Sequence, residues 1–203
     1  AYITITRALA NDLAARYGGS RWPRLVRDAQ GGCKLYVGDA FNRNLQPSSF
    51  EPAGRIADCD RLGIARPVLS PAPPLFCYWA PGPAAAEWCR MVNDTIADAV
   101  SRHPDRFLGA GGLPLQAPDL AGKELERVVA SLRFPAVEIG ASVQNRDLDD
   151  PALVPLWDAV QALGVSVFVH PQAPVLAQDR VARQNLTQVI GFLMLENGLA
   201  LLA

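Results

Sequence analysis

Histidine is almost missing from this chain: among 203 residues there are two, His103 and His170. A catalytic zinc site takes three protein ligands, most often imidazoles, and a nucleophilic triad needs one. The chain therefore has little from which to build either. Cysteine is scarce too. Cys33, Cys59, Cys77 and Cys89 form no CxxC pair and have no Cys/His ligand spacing, so free thiols in a reducing compartment are expected. Excess charge of one sign is absent: the net charge is -1, with 19% charged residues. The densest basic stretch, 21–27, is short and diluted by apolar residues, so neither nucleic acid nor an anionic membrane is an expected partner. The opening Ala1-Tyr2-Ile3-Thr4-Ile5-Thr6 has no basic-then-apolar pattern, so a leader is not expected. The most apolar late stretch, 189–203, is broken by Glu196, Asn197 and Gly198 and is too short to span a bilayer. A cytoplasmic protein is the expectation.

What is present is apolar bulk arranged in alternating periods. Half of the residues are hydrophobic, enough for one core, and a single domain over 1–203 is expected. Five short apolar runs, at 2–5, 65–69, 107–111, 136–139 and 166–169, read as buried parallel strands. Between them apolar residues recur every three to four positions. Trp88, Met91, Val92, Ile96 and Val100 form one such stripe, and Leu125, Val128, Val129 and Leu132 another. Leu153, Leu156, Trp157, Val160 and Leu163 form a third, opened by Asp150-Pro151 and stopped by Gly164. Strand-helix alternation predicts an α/β fold with a parallel sheet. A complete (β/α)₈ barrel takes about 250 residues. About five strands predict a partial or distorted TIM-type barrel with open edges. Residues 18–49 interrupt the rhythm after strand one. There, Lys34 to Val37 and Ala40-Phe41 flank Gly38-Asp39 as a hairpin with a primed turn. This insert and the Pro-rich loop 71–83 are expected at the C-terminal mouth of the sheet.

Several blocks occur in a fixed order: Gly54-Arg55-Ile56-Ala57-Asp58, Pro74-Leu75-Phe76-Cys77-Tyr78-Trp79, Asn93-Asp94, Arg102-His103-Pro104-Asp105-Arg106-Phe107, Val137-Glu138-Ile139-Gly140 and Phe168-Val169-His170-Pro171. From about residue 35 onward the chain resembles the aminocarboxymuconate-semialdehyde decarboxylase branch of the amidohydrolase superfamily. The resemblance implies a TIM-type barrel holding a divalent metal, usually zinc, that decarboxylates conjugated or aromatic acids without oxidation. It implies ligands from an HxH pair ending strand one, a His ending strand five and a distal Asp. His170 matches the strand-five ligand. The HxH pair falls near Ile5-Thr6-Arg7, where Ile5 has no donor atom and Arg7 is a cation, and the distal Asp has no counterpart. A degenerate metal site is therefore expected, with no metal ligand and no cofactor, or zinc if residues outside this chain complete the site.

His170 is accordingly the candidate catalytic residue, against the alternative of a buried, hydrogen-bonded imidazole. By the resemblance Arg43 matches an arginine that grips a substrate carboxylate, which a guanidinium can meet with two N–H groups at once. It reads equally well as a solvated hairpin residue. Phe76, Tyr78 and Trp79 are candidate substrate contacts that also suit packing, and Gln188 stands where a pocket Trp is expected. Glu138 alternates away from Val137 and Ile139 and reads either as an acid/base group or as a paired charge. His103 and the 147–150 acidic run read as helix caps. Three functions follow: a metal-independent conversion of a carboxylic acid (cyclisation or isomerisation type), a metal-dependent decarboxylase completed elsewhere, or a non-catalytic scaffold. The ligand is a small-molecule carboxylic acid. The apolar residues of 186–202 predict a homodimer or hetero-oligomer.

Overall fold

The computed structural model describes residues 7–28, 32–172, 183 and 187–203, with the backbone alone at 7–9, 187, 188 and 192. The strand expected at 2–5 and residues Ile5, Thr6 and Leu186 lie outside the described residues, as does the side chain of Gln188. Helix α1 (Arg7–Tyr17) leads into a three-stranded antiparallel sheet of β1 (Pro23–Arg27), β2 (Cys33–Val37) and β3 (Ala40–Leu45). Next come α2 (Pro52–Arg61), β4 (Val68–Leu69), α3 (Gly82–Arg102), β5 (Leu108–Gly112), α4 (Pro118–Ala130), β6 (Ala136–Gly140), α5 (Val154–Leu163) and β7 (Ser166–His170). A π-type segment, Thr187–Leu195, runs on into α6 (Glu196–Leu202).

Strands β4 to β7 form one sheet in chain order, and each neighbouring pair is parallel. This is the expected βα alternation, with four strands among the described residues. The strand read at 65–69 shortens to β4. Pro67 has no N–H to give a ladder, and Arg66 turns its guanidinium to the Pro104 carbonyl at 2.9 Å. The three helical stripes become α3, α4 and α5. Asp150 caps as expected, accepting from the Ala152 amide at 2.8 Å. Gly164 ends α5 in the left-handed region at φ 62°, a conformation that costs glycine nothing. His103 ends α3, its ring edge-on to Phe107.

The insert has one strand more than the expected hairpin. The basic stretch at 21–27 contains β1, which pairs with β2 from Pro23↔Val37 to Arg27↔Cys33. Its arginines are absorbed locally. Arg24 lies over the Tyr36 ring at 4.8 Å and donates to the Gly38 carbonyl, and Arg27 lies over Phe50 at 4.9 Å. Cation–π stacking of this kind hides charge that a one-dimensional reading counts as free. The hairpin turn is primed: Gly38 has φ 60°, and a Cβ there would collide with the Ser20 carbonyl.

One buried cluster joins both sheets to the helices. Trp22 packs edge-on to Trp79 at 4.8 Å and against Trp88 at 5.4 Å, and Trp88 is fully buried. Its Nε1 donates to the Leu75 carbonyl at 2.7 Å, so the indole supplies apolar area without stranding its one donor. All four cysteines are buried free thiols. Among the described residues no helix is long and apolar enough to cross a membrane.

Candidate functional site

The register of the parallel sheet sorts its side chains onto two faces. Val137 and Ile139 turn to the helices and are fully buried. By alternation Glu138, Gly140, Phe168 and His170 share the opposite face, with Glu138 level with Phe168 and Gly140 level with His170. In a closed barrel that second face is the interior, and its C-terminal rim is where chemistry is done.

Glu138 sits on this inner face at 4% exposure. Its carboxyl reaches back across β5, where Ala110 and Gly112 offer only a methyl and a hydrogen, to the Ser70 hydroxyl. Burial raises its pKa above the ordinary carboxyl range, while the Ser70 hydrogen bond and the nearby His170 oppose that rise. His170 ends β7, half-buried, with Nδ1 at 2.7 Å from the Pro171 carbonyl. A carbonyl only accepts, so Nδ1 carries the proton and Nε2 keeps its lone pair in the neutral ring.

The Pro-rich loop delivers Tyr78 to the same rim. The Gly140 N–H donates to Tyr78 Oη at 3.0 Å. Burial pushes this phenol far above its usual pKa, against a lesser opposing pull from the Gly140 N–H. The loop is pinned rather than loose. Gln116 Nε2 donates to the Cys77 and Ala80 carbonyls, both at 3.1 Å, and Gln144 Nε2 to the Tyr78 carbonyl at 2.7 Å. Gln172 closes the rim, its buried Nε2 without a hydrogen-bond partner. No local pattern singles out Gln172. Its role depends on the two residues after His170 folding back over Gly140, which no local pattern encodes.

The other candidates are placed differently. Phe76 is buried and stacks on Tyr78, with centroids 5.6 Å apart. The crevice beside it, lined by Pro71, Leu75, Phe76, Cys89 and Val92, leaves no room for a water. Trp79 is half-buried against Trp22, with Arg21 over its ring at 5.8 Å. Arg43 is exposed on the edge strand β3, its Nε donating to Asn42 Oδ1 at 2.8 Å. Cys77 is buried and its thiol is pushed well above the ordinary value by that burial, so it holds no thiolate for nucleophilic work.

Parallel strands with intervening helices, and polar side chains at their C-terminal rim, define part of a (β/α) barrel. The amidohydrolase family profile matches residues 18–191, and the chain belongs to that family. It is 33% identical over 180 residues to 2-amino-3-carboxymuconate-6-semialdehyde decarboxylase of Dictyostelium discoideum, an alignment covering 89% of this chain and 50% of the relative. It is 36% identical over 137 residues to gamma-resorcylate decarboxylase of Polaromonas sp. strain JS666, covering 63% and 41%. Among solved structures, Metarhizium anisopliae IDCase matches in fold with TM-score 0.73 and 24% identity, over 89% of this chain and 53% of that one. A dihydroxybenzoic acid decarboxylase from Polaromonas sp. JS666, solved with manganese and the inhibitor 2-nitroresorcinol, matches with TM-score 0.59 and 33% identity over 64% and 41%. The chain thus spans about half the length of the relatives it matches.

The donor set can be tested against such a metal. His170 has one feature of a ligating imidazole, an Nδ1–H tied to a backbone carbonyl. Among the described residues no three His, Cys, Asp or Glu side chains come together as a metal site. With three protein ligands as the working minimum, the described side chains do not fit a catalytic metal by themselves.

Proposed function

We propose that this chain binds a small aromatic or conjugated carboxylic acid at the C-terminal rim of its parallel sheet. We further propose that any conversion there does not run through a metal held by the chain's own side chains. The reading is carried by the gathering of His170, Glu138 and Tyr78 on one inner face, in a chain whose relatives are decarboxylases. His170 Nε2 holds the lone pair that takes or returns a proton, and Glu138 supplies a buried carboxyl next to it. The reaction class that fits is proton transfer on a conjugated acid, as in an isomerisation or cyclisation. Gamma-resorcylate, 2,6-dihydroxybenzoate, is the probe the relatives suggest. A metal-stripped preparation should bind it saturably in a calorimetric titration. Binding that vanishes on stripping and returns with manganese contradicts the reading.

A second reading is favoured by the carbonyl-tied Nδ1–H of His170 and by the manganese in a related structure. It is a metal-dependent carboxy-lyase whose remaining ligands come from outside the described residues. Stoichiometric manganese or zinc on the purified chain, lost in His170→Ala, distinguishes it. In both readings a second copy or another subunit covers apolar surface. Leu201 and Leu202 are 87% and 86% exposed and Phe168 is 59% exposed, apolar groups of the kind that a partner surface covers.

A further inference from the structure

We propose that Gln172 and Tyr78 together hold the carboxylate of the bound acid at the rim beside Gly140, the space directly over which Gln172 Nε2 fills; the assignment rests on the acid-binding reading above. The first observation is an unmet donor. Gln172 Nε2 is buried and has no hydrogen-bond partner, a condition that costs free energy and calls for an acceptor. The second is convergence. A Cβ on Gly140 would lie 1.8 Å from Gln172 Nε2 and 2.9 Å from Tyr78 Cε2. Both side chains therefore close on Gly140 from the inner face, level with His170. Only glycine leaves them that approach.

The third observation is a second donor. Tyr78 Oη spends a lone pair on the Gly140 N–H, and among the described residues no acceptor takes its hydroxyl proton. A carboxylate only accepts, through two oxygens, and an amide N–H with a phenol O–H matches it. Burial keeps the phenol protonated, so the donor persists at any working pH. The Glu138 carboxyl shares this face but reaches to Ser70.

The test is a titration of the whole chain with 2,6-dihydroxybenzoate and, separately, with resorcinol, the same ring without the carboxylate. Wild type, Gln172→Ala, Gln172→Glu and Tyr78→Phe are compared, with circular dichroism confirming the fold. Gln172→Ala should weaken the acid about tenfold, as loss of one hydrogen bond to a charged group implies. Gln172→Glu should weaken it further, and resorcinol should bind all forms alike. Should Tyr78→Phe fail to fold, the two Gln172 variants decide alone. Equal affinity of wild type and both Gln172 variants for the acid overturns the seat while leaving the acid-binding reading intact. A wild type that binds no acid overturns that reading, and the seat with it.

Discussion

The two faces of the parallel sheet are finished to different degrees. On the helix side Leu69, Val137 and Ile139 are sealed under α3, α4 and α5 together with Leu125, Val128 and Leu156. On the inner side Phe168 stands 59% exposed at β7 and Val68 48% exposed at β4, the two outer strands of the sheet among the described residues. Between them lie the polar groups Ser70, Glu138 and His170. The outer face is packed by apolar contact around one buried polar pair, Asn93 of α3 and Glu124 of α4. The inner face keeps polar groups that cost stability unless they are used.

Mutations should separate the faces by size of effect. Ile139→Ala, on the sealed face, should cost about 2–5 kcal/mol in denaturant unfolding because the cavity cannot collapse between strand and helices. Asn93→Ala should cost about 1–3 kcal/mol. The Asn93 amide, fully buried on α3, donates to the Gly112 carbonyl at 3.0 Å and accepts from its N–H at 2.7 Å. Removal strands the N–H and the C=O of Gly112, and also costs Glu124 the donor it meets at 2.7 Å.

Glu138→Gln should show a smaller effect with a definite sign. Burial raises the folded-state pKa of Glu138, so the fold favours its neutral form. The stability this group contributes is complete below the unfolded-state carboxyl value of about 4.3 and is lost as pH rises through the raised folded value. The variant should match wild type near pH 4, exceed it near pH 7, and so flatten the curve of unfolding midpoint against pH. Phe168→Ala should be the mildest, within about 0.5 kcal/mol for the isolated chain. In sedimentation at rising concentration it should weaken self-association, if a second copy is what covers β7. A dilute wild-type monomer that stays monomeric at high concentration would place the cover elsewhere.

The sealed face was the legible one. Three-to-four spacing gave α3, α4 and α5, and Gly164 marked an end, because burial against one surface writes its period into the chain. The alternation of Glu138 against Val137 and Ile139 likewise showed which way it faces. The antiparallel insert was harder: β1 was masked by Arg24 and Arg27, whose charges are stacked on Tyr36 and Phe50. The site was least legible. His170 was visible at a strand end; Phe76, readable either as a substrate contact or as packing, is buried and stacked on Tyr78, and Arg43, readable as an anion binder or a solvated hairpin residue, lies exposed on β3. Gln172 has no local pattern at all, since its unmet donor arises only from the approach to Gly140.

The near-absence of histidine becomes useful in the most direct test. His170 lies on the inner rim and His103 ends α3, so the two imidazoles report from the two regions just compared. Their ring resonances should be followed by NMR while 2,6-dihydroxybenzoate is added. A saturable shift of the His170 signals with His103 unmoved is expected. Signals that both stay still, or that move together, would contradict an acid-binding rim on the inner face.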